Sequence, residues 1–175
     1  MQKVFYRIQT SLSYRIIMCF IIGMFFLTNC ARFTPCRLDS KFTPVKDRPE
    51  QEFLIGHYIT DAATLEMIKG YEGGYLNINP DGSIEIRNIP ISVFDIKSYA
   101  AGQTKGVDFT GTWKSGIHKE SAHLFADISF DKKPTILNDK GYLVTWQILS
   151  KDGKAVIIIP LGDPDECRAV RFIKE

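Results

Sequence analysis

From residue 52 onward the chain reads as apolar runs of six to nine residues broken by turn residues, the pattern of an antiparallel sheet. The runs are Phe53–Thr60, Gly74–Asn79, Ser83–Ile89, Asp108–Lys114, Ala122–Phe130, Tyr142–Leu149, Ala155–Pro160 and Arg168–Ile173. Alternation is clearest in the fifth. Leu124, Ala126, Ile128 and Phe130 share one face; His123, Phe125, Asp127 and Ser129 share the other. Asn79-Pro80-Asp81-Gly82 is a hairpin turn, because Pro80 presets its φ and Gly82 accepts the left-handed conformation. Lys151-Asp152-Gly153 is a second turn. One short helix is predicted after the first strand, with Asp61 as N-cap to residues 62–69 and Gly70 as its stop.

Eight strands joined mostly by short turns leave exposed sheet edges unless the sheet closes on itself. Several runs, YLVTWQIL and AVIIIP among them, are apolar at both odd and even positions, which suits a filled or ligand-lined interior. The expectation is an all-β chain, a single antiparallel eight-stranded barrel or strongly curled meander over residues 52–175.

The first thirty residues change the picture by adding an address. Lys3, Arg7 and Arg15 precede a twelve-residue block, Ile16–Leu27, and no acid appears before Asp39. Such a block rises only ~18 Å as a helix against a hydrocarbon core of ~30 Å, so a cleaved signal helix over residues 1–29 is expected rather than a span. The 22 basic side chains then fall by three against an unchanged 20 acids, and the formal charge passes from +2 to slightly negative. Nucleic-acid binding is set aside on that ground. Residues 30–51, with prolines at 35, 44 and 49, are expected to form a tether.

Of the four cysteines, Cys19 lies in the signal block and Cys30 at its end. Cys36 and Cys167 remain as a candidate disulfide in an oxidising compartment, with separately buried or reduced thiols as the alternative. Asp163, Asp165 and Glu166 are read as turn chemistry around Pro164 rather than as a calcium loop. His57, His118 and His123 are read as exposed, since an offset of five points two side chains of one strand to opposite faces; no metal and no cofactor is expected. No Gly-x-Ser-x-Gly elbow or selectable acid pair occurs, so an enzyme is not expected.

Leu27-Thr28-Asn29-Cys30 resembles the lipobox of bacterial lipoproteins, with Asn29 standing where a small residue is usual. The resemblance implies lipidation (palmitate) at Cys30, export through the inner membrane and anchoring in the envelope, the outer membrane being expected. Gly56-His57-Tyr58 with Arg168 or Arg171 on the last strand resembles the lipocalin closure, in which a Gly-x-Trp packs under an arginine; here Tyr58 takes the tryptophan's place. Gly111-Thr112-Trp113 and Gly162-Asp163-Pro164-Asp165 complete a likeness to uncharacterised bacterial lipoprotein-type β-proteins, which implies no activity. Two functions follow as expectations. One is a module binding a small apolar or amphipathic ligand through Phe109, Trp113, Phe125, Tyr142 and Trp146. The other is an interaction or inhibitor module presenting residues 90–106 and 131–141 to an envelope protein.

Overall fold

A computed structural model describes residues 42–132, 142–162, 166 and 168–175, all within one compact unit, Leu38–Glu175. Its strands are β1 (Thr43–Pro44), β2 (Gly56–Thr60), β3 (Tyr75–Ile78), β4 (Ser83–Pro90), β5 (Gly106–His118), β6 (Ser121–Phe130), β7 (Tyr142–Lys151), β8 (Lys154–Pro160) and β9 (Ala169–Lys174). All pair antiparallel, in the order β7-β6-β5-β4-β3-β2-β9-β8, and a further β7–β8 pairing closes the ring. The molecule is therefore a closed eight-stranded barrel, and every strand but β1 has a neighbour on both sides. The helices are α1 (Gln51–Leu54), α2 (Ala62–Met67) and α3 (Ile96–Ala100), the last preceded by a 3-10 turn at Ile91–Val93.

The eight strands read from the sequence are the eight of the barrel, but the first begins later. Phe53 and Leu54 belong to α1, and β2 starts at Gly56. Part of the expected tether also joins the folded body: Thr43 and Pro44 pair with Ser150 and Leu149, and the Val45 carbonyl accepts from the Ala122 amide at 2.7 Å. The reason lies in β8. Ala155, Ile157 and Ile159 point into the barrel, whereas Val156 and Ile158 point out and are equally buried. With Leu149 and Ala169 they form an apolar patch on the outer wall, and Phe42 packs upon it. The doubly apolar run thus marks a wall covered from outside as well as a core lined from inside.

The interior is filled by side chains. Tyr58, Leu76, Ile78, Ile84, Ile86, Phe109, Leu124, Ile128, Ile148 and Phe172 are all essentially inaccessible. Two backbone features shape the wall. A Cβ at Gly111 would stand 2.0 Å from the Asp127 carbonyl oxygen, so the β5–β6 pair requires glycine there. In β4 the pairing with β5 slips between Ile86 and Ile89, where Asn88 takes a φ of 56° as a bulge residue.

Outside, Arg87 bridges Glu85 (2.7 Å) and Asp131, tying β4 to the end of β6. On the opposite wall Arg171 meets Asp61 at 3.4 Å with both side chains largely buried. Asp61 also caps α2 by accepting from the Thr64 amide at 2.8 Å.

Candidate functional site: the hooded mouth of the barrel

The two ends of the barrel are built differently. At the end where β2 begins, α1 turns its Leu54 into the core, and the Tyr58 hydroxyl donates to the Leu54 carbonyl at 2.5 Å. Burial pushes the Tyr58 hydroxyl well above the ordinary phenol range. Lys174 donates to the carbonyls of Glu52 and Phe53, both at 3.0 Å, so an ammonium satisfies the orphan end of α1. Its methylene chain lies 2.8 Å from where a Cβ on Gly56 would stand, and Gly56 has a φ of 150°. The cation against Gly56 is therefore Lys174, not the Arg171 expected from the sequence. Along β9 the inward side chains are Val170 and Phe172, which puts Arg171 on the outer wall, beside Asp61 and 5.8 Å from the Phe42 ring.

The other end is roofed by residues 91–104. Asp95 caps α3, accepting from the Ser98 amide at 2.7 Å. Hydrogen bonding from Ser98 holds the Asp95 carboxyl below the usual range, so it is ionised at neutral pH. The cap fixes the direction of the preceding residue, and Phe94 drops into the barrel mouth. Its ring sits edge-on to Phe109 (5.5 Å) and Phe130 (5.2 Å) and tilted to Tyr142 (6.2 Å). Trp146 lies one step deeper, 6.1 Å from Phe109. Tyr99, on α3, rests against Gly162, whose φ of 71° and missing side chain let the ring approach.

Two pockets flank this roof and share Ser92. The first, about 340 Å³, lies between Phe94–Ile96 and strands β7 and β8, with Val144, Thr145, Trp146 and Ile159 in its wall. Asp95 is the ionisable side chain among its described lining residues. The second, about 290 Å³, is bordered by Met67, Lys69, Tyr99 and Arg168. There Arg168 donates to the Tyr99 hydroxyl at 3.2 Å and Tyr99 donates to Glu166. A third, about 420 Å³, is on the outer wall beside Phe42 and Ile173.

The expected ligand-binding residues divide accordingly. Phe109, Tyr142 and Trp146 converge beneath the roof. Trp113 also packs against the core but at the plugged end, where its indole donates to the Asn79 carbonyl at 3.1 Å. Phe125 is on the outer face, against Gly116 and His123, because the parity of β6 that buries Leu124 and Ala126 turns it outward. Sequence reading missed Phe94, Asp95 and Ser92. The signal available was the Asp95-Ile96-Lys97-Ser98 stretch, a helix-start pattern inside what was read as a connection. The histidine reading also changes. His118 ends β5 and His123 lies in β6, so a hairpin turn, not a continuous strand, separates them. Cys30, Cys36, Cys167, Asp163 and Asp165 lie outside the described residues.

Among the described residues no helix is long and apolar enough to cross a membrane. Comparison with protein families, curated proteins and solved structures finds no match for the chain.

Proposed function

We propose that this protein is a non-enzymatic binding module of the bacterial envelope, exported and lipid-anchored through Cys30, whose barrel takes a small amphipathic molecule at the roofed mouth. The observation carrying this reading is the pocket of about 340 Å³ between the roof and β7–β8. Its size is at the lower end of small-molecule sites, and its wall joins apolar surface to a few placed polar groups. Below it the barrel is occupied by Phe109, Ile128, Ile148 and their neighbours, so the ligand is held in the mouth rather than threaded along the axis. Asp95, ionised and lining the same pocket as Phe94 and Trp146, favours a ligand whose polar end is an amine or another hydrogen-bond donor.

Titration with a short-chain alkylamine and with the carboxylic acid of equal length, followed by tryptophan fluorescence, tests this directly. Saturable binding of the amine in preference to the acid is expected, and Asp95→Asn should erase the preference. Absence of saturation by either compound, or a preference untouched in Asp95→Asn, counts against the proposal. Anchoring is tested separately by metabolic labelling with palmitate, which Cys30→Ala should abolish; label retained in that variant removes the anchor from the reading.

A second reading, a docking or inhibitor module for an envelope protein, draws on the rim of the same mouth. Ile96 is 59 % exposed on α3 and Leu143 is 75 % exposed at the start of β7. Two large apolar side chains left in water beside a roofed end suit a partner surface. Crosslinking in envelope extracts should capture that partner and lose it in Ile96→Asp/Leu143→Asp. Capture equal in the variant argues against this face.

A further inference from the structure

We propose that His118 and His123 form a two-imidazole site for a divalent transition metal of the copper or zinc type, on the outer wall at the plugged end of the barrel. The register places Gly116 opposite His123 and His118 opposite Ser121, so both histidines project from the same face of the β5–β6 hairpin, on a diagonal. Their ring centroids are 5.4 Å apart with the ring planes at 88°. That separation matches a shared ion. A metal–nitrogen bond of about 2.1 Å, with about 1.1 Å more to the ring centre, puts each centroid about 3.2 Å from the metal; tetrahedral angles then separate the centroids by about 5.2 Å. The backbone of the hairpin thus already holds the two rings at a spacing that one ion can bridge, with the side-chain torsions left to aim the nitrogens.

The tautomer of His123 is fixed in the sense that ligation needs. Its Nδ1 lies 3.1 Å from the Ser121 carbonyl oxygen, which can only accept, so Nδ1 carries the proton and Nε2 presents its lone pair. The turn that brings the strands together has an unusual composition. Lys119 and Glu120 both take left-handed φ values, 47° and 64°, where Asn-Gly is the usual choice. Left-handed non-glycine residues cost free energy, and here they hold the His118 strand tightly against the His123 strand. Among the described residues no three His, Cys, Asp or Glu side chains converge, so the protein supplies two ligands and water or an external donor completes the shell. The site stands apart from the roofed mouth and does not depend on the ligand proposed there, since β5 and β6 run the length of the barrel between them.

The test uses the whole chain with its thiols blocked by alkylation and Cu²⁺ as the probe, read by calorimetry and by electron paramagnetic resonance. One Cu²⁺ per chain is expected, with a spectrum showing two imidazole nitrogens. Either His118→Ala or His123→Ala should weaken binding by at least the ~10–100-fold that loss of a supporting group costs elsewhere, and each should remove one nitrogen from the spectrum. His57→Ala, a histidine on a different strand, should bind as the parent does. Circular dichroism should be unchanged throughout, because His118 is exposed and His123 only partly covered. Undiminished affinity in the double variant, or no binding by the parent up to millimolar metal, overturns the proposal.

Discussion

One end of this barrel is plugged and the other is roofed, and the contrast shows where a small β-protein keeps its freedom. At the plugged end a core ring carries the closure. Tyr58 is wholly buried and bonded to the Leu54 carbonyl, and Lys174 binds the carbonyls of α1. At the roofed end Phe94 and Tyr142 are only partly buried, and two pockets remain beside them. The same kind of residue, an aromatic ring over the barrel axis, thus closes one end permanently and covers the other loosely. Interior packing leaves the loop-bearing end as the place where a ligand meets the core.

Paired substitutions at the two ends break the comparison if it is wrong. Tyr58→Ala removes a fully buried ring and should destabilise the protein by about 3–5 kcal/mol, as large aromatic truncations in cores do. Phe94→Ala should cost less than about 2 kcal/mol, because the ring is only partly buried. Urea denaturation measures both, and equal losses would sink the distinction. Tyr58→Phe separates packing from hydrogen bonding: it leaves the Leu54 carbonyl unpaired in the core, for about 1–3 kcal/mol.

A smaller contrast comes from two glycines. Gly111→Ala sets a methyl group against the Asp127 backbone, which cannot move without breaking the β5–β6 pairing, and about 1–3 kcal/mol is expected. Gly162→Ala meets the far end of the Tyr99 side chain, which can swing away, so its cost is mainly the left-handed φ, about 1 kcal/mol. Its readout is ligand binding at the mouth, which displacement of Tyr99 should alter while Gly111→Ala does not.

The smallest effects are expected from pH, and they have opposite signs at the two ends. The Asp95 carboxyl is lowered in the folded state, so its support of the roof is complete above its unfolded value of 3.8 and is lost as the pH falls through the folded value. Tyr58 is raised, so the stability it contributes is present below its unfolded value of 10.0 and declines as the pH rises beyond that. Tyr71, pushed up to about 12 by burial, adds to the alkaline loss. Amide exchange should therefore quicken first in residues 91–104 on acidification and across the core on alkalinisation. Uniform quickening in acid would remove Asp95 from the account.

Much of the fold was legible because a half-buried strand must alternate. Leu124, Ala126 and Ile128 announced their face of β6, and Asn79–Gly82 and Asp152-Gly153 announced their turns. The site was only partly legible. Phe109, Tyr142 and Trp146 were found because large aromatics at inward parity line any barrel, but Phe94 and Asp95 sit in a connection without a period. Phe125 was named a ligand contact for its residue type although it shares the polar face of β6, and that face is the outer one.

What the chain determined by itself was local: strand identity, turn position, the α2 cap at Asp61 and the apolar doubling of β8. Pairing across distance was decided only in the folded state. Whether Lys174 or Arg171 faces Gly56 depends on the register of β9 against β2, where Tyr58 meets Lys174 and Thr60 meets Phe172. A shift of one residue would set Ile173 or Glu175 in place of Lys174 opposite Tyr58, and no local preference of either strand fixes that register. The meeting of His118 with His123 and the descent of Phe94 among Phe109, Phe130 and Tyr142 are of the same kind. Closure of the barrel, which pairs both edges of β2 to β9 together, selects them.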